Sequence, residues 1–261
     1  MNIFLKLLLC LSLCFPAILM GQDSKALGLS LGLHHFTMLD QHASPVVYTI
    51  NAPIAQIGYQ HQNTQRILCF NLYFGLGQLK ASDNDLPTLN TDLGRSTTIA
   101  GLDVYYWKDL ERQSENWQHA WGGSFQYDFM IDFEAVGNFP WAMSQAVLGV
   151  NYSSAYLFEN GNQLKASVGL PLLGIWTRLP YYSIPRTQGK VPGVGSYFAE
   201  GTKLATWNNF QRIDLSLAYQ FSLNERWQLC ADYQFAWFHY TLPDDIFAYQ
   251  QQLNLQLAYS F

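Results

Sequence analysis

The stretch from Trp117 to Phe133 alternates residue by residue. Trp121, Phe125, Tyr127, Phe129, Ile131 and Phe133 fall on one side, and Gly122, Ser124, Gln126, Asp128 and Asp132 on the other. A period of two is a β-strand with one apolar and one polar face. The pattern recurs in ten segments, over about 25–37, 50–61, 66–79, 96–109, 117–133, 143–158, 162–176, 208–222, 226–241 and 247–261. Each is long enough for a tilted membrane strand, which needs ~9–11 residues. The polar faces carry amides, glycines and hydroxyls more than charges. Charged residues make up 13% of the chain, about half the ~25% of an ordinary soluble domain, and a water-facing surface so poor in charge is badly soluble. Turning the apolar faces to lipid and the polar faces to a lumen removes the conflict. Open sheet edges are not tolerated in lipid, so the sheet must close. The expected fold is therefore all-β: a transmembrane antiparallel up-and-down barrel of about ten strands in one domain, residues 22–261.

The connections alternate in length. HQNT, LERQSEN, NGN and LNE are short, and the links at 38–49, 80–95, 134–142, 177–207 and 242–246 are mostly longer. Outer-membrane barrels have short periplasmic turns and longer external loops. With an even strand count, both termini are then expected in the periplasm.

The N-terminus has Lys6, an apolar run from Leu7 to Met20, then Gly21 and polar residues. Fourteen apolar residues suit a secretory h-region better than a spanning helix. Residues 1–21 are expected to be a cleaved signal peptide. Of the cysteines beyond it, Cys69 and Cys230 fall on strands that are not neighbours and are read as free thiols.

The chain ends in LQLAYSF, with Tyr259 third from the end and Phe261 last. With the signal-like start and the dyad repeat, this ending resembles the Gram-negative outer-membrane β-barrel proteins, and the resemblance covers residues 22–261. It implies an outer-membrane location and a monomer. It also implies that Tyr259 and Phe261 form a signal for the barrel-assembly machinery. Aromatics near the segment ends suggest two interfacial girdles: Trp117, Phe158, Phe221, Trp227, Tyr259 and Phe261 at one end, and Phe36, Trp141, Trp176, Trp237 and Phe247 at the other.

Chemistry is sparse. A net charge of −5 without a basic stripe excludes nucleic acid as a partner. PGVGSYFAEG matches no phosphate loop, no Cys/His spacing suits a metal, and no cofactor is expected. The inward faces hold Asp103, Asp128, Asp132, Asp214 and Asp232 against Lys165 and Arg212. Charges at membrane depth line water or pair with one another, and a barrel this narrow fills its interior with side chains. The 177–207 link is the longest. It holds Arg178, Arg186, Lys190 and Lys203 against Glu200, among aromatics that include Tyr181 and Tyr182. Its charge suits lipopolysaccharide phosphate or the acidic lumen.

Hydrolase chemistry needs acids beside a His or, in barrel lipases and lipid A deacylases, a Ser nucleophile beside a His. Ten-stranded omptin-type proteases use acids and an Asp–His pair at the external mouth. Here SDNDLP supplies Asp83 and Asp85, and His239 precedes Asp244 and Asp245; Asp-Asn-Asp is also ordinary turn composition. LHHFTML and WFHYTLP set His34, His35 and His239 beside Thr, with no Ser on the same face. The expected function is a binding, structural or envelope-accessory role carried by external loops. The alternatives are a narrow solute channel and an outer-membrane hydrolase acting on protein or lipid.

Overall fold

The computed structural model describes residues 24–40, 47–63, 65–82, 91–109, 116–136, 139–178, 201–242 and 245–261. Nearly all of these are strand: β1 (Ser24–Asp40), β2 (Val47–Gln62), β3 (Arg66–Ser82), β4 (Thr91–Asp109), β5 (Trp117–Val136), β6 (Phe139–Leu157), β7 (Gln163–Arg178), β8 (Thr202–Thr206), β9 (Phe210–Ser222), β10 (Trp227–Tyr240) and β11 (Ile246–Ser260). Neighbours run β6-β5-β4-β3-β2-β1-β11-β10-β9-β7, and β6 pairs with β7, so the sheet closes. Every pairing is antiparallel. The first and last strands zip together from Ala26↔Ser260 to Asp40↔Ile246. Closure leaves no edge, which is the condition for crossing lipid with strands.

β8 and β9 together form a single stave. β8 pairs with Leu173–Thr177 of β7, and β9 pairs with Gln163–Gly169 of the same strand. Between them a turn at 207–209 is pinned by Asn209, whose Oδ1 accepts from the Thr206 amide at 2.7 Å while its Nδ2 donates to the Leu204 carbonyl at 3.0 Å. The wall thus has ten staves, as the alternation implies. The eighth, however, begins at Thr202, so the end of the expected 177–207 loop is wall. Trp207 and the two asparagines after it interrupt the period of two, which hides the first part of the stave.

The outer face is a belt of apolar side chains. Leu29, Leu31, Leu33, Phe74, Leu148, Leu253 and Leu255 are all exposed, Leu31 to 72%. The same strands turn Ser30, Gln126, Asp128, Gln145, Asn151, Gln252 and Asn254 inward, where they are buried. Ser24, the first described residue, and the C-terminal Phe261 sit at the end that carries the short turns, and Phe261 donates its amide to the Lys25 carbonyl at 2.8 Å. Those turns have recognisable chemistry. Gly161 takes φ +80° in the β6–β7 turn, and Asn224 Oδ1 caps the amides of Arg226 and Trp227 at 2.9 and 2.8 Å.

One irregularity changes which residues face the lumen. In the β6–β7 ladder Leu148 opposes Leu173 and Gly149 opposes Pro171, so Leu172 is an extra residue. Leu170, Leu172, Leu173 and Ile175 are exposed, whereas Pro171, Gly174 and Trp176 are buried. The bulge shifts the phase of β7 by one residue, which sends every later side chain to the opposite face. Pro171, having no N–H, suits such a break. Trp176 is therefore inside, not in the expected girdle. Phe36 is inside too, because β1 keeps its even residues inward to the end. Trp237 and Phe247 do face outward. The side chain of Trp141 lies outside the described residues.

Candidate functional site

The interior is built in three tiers. At the terminal end a cavity of about 430 Å³ is lined by Gln56, Asn71, Gln228, Asp232, Gln252 and Gln256, among others. Cys69 and Cys230 both line it as free thiols, and Lys165 places its Nζ 4.8 Å from the centre of the Trp107 ring. That is cation–π range and gives the ammonium a local partner. Asp232 accepts from Gln234 Nε2 at 2.7 Å.

Above the cavity lies a charged tier. Asp128 accepts from the Tyr73 hydroxyl, from Gln145 Nε2 at 2.6 Å and from Arg212 Nη1 at 3.4 Å. Arg212 also donates its Nε to Asp214 at 2.7 Å, and Asp103 lies within electrostatic range of Asp128, Asp214 and Arg212. Two carboxylates thus share one guanidinium, with the carboxyl group of Asp103 close by. Arg212 is the residue type that suits this, since its fixed fork serves two acids at once. Tyr73 reaches across because Gly101 is opposite it in the ladder. A Cβ on Gly101 would stand 2.2 Å from the Tyr73 ring.

The third tier, towards the loop end, is apolar. Phe36, Met38, Ile50, Leu79, Ile99, Met130, Trp176, Phe210, Phe238, Tyr240 and Ile246 pack into one buried cluster. Trp176 is its hub, with ring centres 4.9 Å from Tyr240, 5.1 Å from Phe238 and 5.6 Å from Phe210. The wall's own side chains fill this half of the lumen.

Asp103, Asp128, Asp214, Asp232, Lys165 and Arg212 all face the interior, with Asp103, Asp128, Asp214 and Arg212 gathered in the charged tier. The side chain of Asp132 lies outside the described residues. Of the basic set, Arg178 is buried at the end of β7, and Lys203 is exposed on β8, opposite Trp176 in the ladder. Tyr181, Tyr182, Arg186 and Lys190 lie outside the described residues. Tyr259 accepts from Arg226 Nη1 at 3.3 Å and packs 4.9 Å from Trp227; Phe261 is exposed beside it.

The histidines divide by face. His34 points inward, its Nδ1 3.3 Å from Gln252 Oε1. His239 lies on the outer face, stacked on Phe247 at 4.2 Å with its Nε2 3.2 Å from Asp245 Oδ1. That pair is turned away from the mouth. Asp40-Gln41-His42 has an Asp-x-His spacing. His42, Asp83, Asp85 and Asp244 lie outside the described residues, as does the side chain of Asp40. Among the described residues no group of His, Cys, Asp and Glu forms a metal site.

A closed antiparallel sheet with a lipid-facing exterior and a partly polar lumen is the architecture of outer-membrane barrels. The chain has the fold of an outer-membrane β-barrel. A solved structure of that class shares this fold. The outer-membrane protease OmpT of Escherichia coli superposes with a TM-score of 0.52 at 8% identity, covering 94% of this chain and 99% of its own. An outer-membrane channel of Pseudomonas putida F1 gives 0.48 at 10% identity, covering 94% and 97%. The translocator domain of the autotransporter NalP of Neisseria meningitidis gives 0.47 at 6% identity, covering 98% and 94%. At such identities the likeness extends to fold and not to activity. No family model matches the chain, and no curated protein matches it in sequence.

Proposed function

We propose that this outer-membrane barrel is sealed to solutes and serves as a surface-binding or envelope-accessory protein. The observation that carries the reading is the apolar tier. Trp176, Phe210, Phe238, Tyr240, Phe36 and Ile246 are at most 1% exposed inside the barrel. A hydrated ion entering from the terminal end meets first the Asp128–Arg212–Asp214 layer and then packed rings. A hydrophobic constriction stops conduction by excluding water, and this one is filled as well as narrow.

In this reading the terminal end faces the periplasm, and the β3–β4 and β7–β8 connections lie on the outer side of the membrane. Arg186, Lys190, Tyr181 and Tyr182 belong to the latter connection in the sequence, and its basic charge suits lipopolysaccharide phosphate, which arginine binds through paired hydrogen bonds. The belt supports a monomer in lipid, delivered by the barrel-assembly machinery through Tyr259 and Phe261 after removal of residues 1–21. Planar-bilayer recording of the refolded protein tests the seal. The expected record is silent at physiological salt; sustained unitary openings of the native barrel would overturn the reading.

A further inference from the structure

On the outer wall three side chains from two strands form a relay. Thr37 Oγ1 is 3.0 Å from His35 Nε2, and His35 Nδ1 is 2.7 Å from Asn51 Oδ1. The proton positions follow from the chemistry of the partners. An amide oxygen only accepts, so Nδ1 carries the imidazole proton. Nε2 is then the free lone pair, and the Thr37 hydroxyl donates to it. This is the arrangement of a hydroxyl nucleophile, its general base and the group that orients the base.

Its position indicates the substrate. Leu27, Leu29, Leu31 and Leu33 precede the relay on the same face of β1, all exposed. Leu253, Leu255 and Leu257 continue that belt on β11, where Leu253 opposes Leu33. At His35 the belt gives way to polar side chains, with Asn51 opposite on β2 and Gln251 opposite on β11. Thr37 thus stands at the loop-side rim of the lipid-facing band, the depth at which acyl chains join their head groups. Thr49 and Tyr249 oppose Thr37 on the two flanking strands. The Tyr249 ring is centred 6.0 Å from that of His35.

We propose that Thr37, His35 and Asn51 form an acyl-ester hydrolase site for membrane lipids on the outer wall. The proposal goes beyond the sealed-barrel reading and does not depend on it. Thr37 Oγ1 attacks the ester carbonyl carbon while His35 Nε2 takes its proton. Thr49, opposite Thr37 in the β1–β2 ladder, supplies a donor for the oxyanion. The tetrahedral adduct collapses, the carbon–oxygen bond to the lipid alcohol breaks, and His35 returns the proton to the departing oxygen. A water, deprotonated by His35, then attacks the acyl-threonine. Fatty acid leaves, and the proton returns to Thr37. Asn51 acts as a positioning residue, holding the tautomer that leaves Nε2 free.

The test uses the full mature chain refolded into detergent micelles containing either dioleoyl-phosphatidylethanolamine or purified lipid A, with fatty-acid release read by mass spectrometry. Release is expected from one or both; the responding lipid tells whether the ester belongs to a glycerophospholipid or a glycolipid. Thr37→Val and His35→Ala should lower the rate by about 10²-fold or more, and Thr37→Ser should retain it. Asn51→Asp should keep activity and move the acidic limb of the pH–rate profile to higher pH, because a carboxylate favours the imidazolium. An alkyl fluorophosphonate should label Thr37 in the native protein and not in His35→Ala. All variants lie on the outer face, and heat-modifiable migration verifies that each is folded. No release from either lipid by a folded barrel, or full activity in Thr37→Val, overturns the proposal.

Discussion

Replacing Trp176 by alanine tests the apolar tier directly. The indole is 1% exposed and touches three other rings, so its loss leaves a hole that Phe210, Phe238 and Tyr240 fill only in part. Burying a large aromatic removes roughly 150–250 Å² from water. At about 25 cal/mol per Å² that amounts to about 4–6 kcal/mol, an upper bound because the unfolded chain is already partly compact. Measured Trp→Ala and Phe→Ala losses in cores run about 3–5 kcal/mol, and that is the expected cost here. Trp237 provides the control. It lies on β10 facing lipid, 37% exposed, and its truncation should cost less than half as much. Reversible urea unfolding in lipid vesicles, followed by fluorescence and by heat-modifiable migration, measures both. A Trp176→Ala loss below about 1 kcal/mol, far under the expected range for a core aromatic, would refute the packing argument. So would a Trp237→Ala loss equal to it.

Two further outcomes follow from the charged tier and the C-terminus. Arg212→Met leaves Asp128 and Asp214 without their cation and should destabilise the barrel by about 3–5 kcal/mol; adding Asp214→Asn should recover part of the loss, which a double-mutant cycle in the same unfolding assay would resolve. Deleting Phe261 should lower the membrane-inserted fraction while leaving export intact, checked by outer-membrane yield and migration of the unheated protein.

The fold was legible because lipid and lumen impose opposite demands on successive residues. Leu29, Leu31 and Leu33 against Ser30, Gly32 and His34 already state which way β1 faces. The inward placement of Asp103, Asp128 and Arg212 follows from the same parity. Parity fails at an inserted residue, since an alternating pattern gives no warning that its phase is about to change. Leu172 is such a residue, and Trp176 was misplaced for that reason. The start of the eighth stave was hidden in the same way by the turn at 207–209.

The relay on the outer wall was half visible. LHHFTML places His35 and Thr37 on one face of one strand. Asn51 could not be assigned as the third member from sequence. It reaches His35 only through the β1–β2 register, which is fixed by closure of the whole barrel and not by local pattern.

The bulge at Leu172 also bears on how much change in length this wall can absorb. Deleting that one residue would restore an unbroken alternation through β7, with Pro171 in, Leu173 out, Gly174 in, Ile175 out and Trp176 still in the lumen. The pairs Leu148↔Leu173 and Gly149↔Pro171 would be kept, now as consecutive rungs of the ladder. The strand thus carries a spare residue, and the ring that seals the lumen keeps its place whether the strand is one codon longer or shorter at that point.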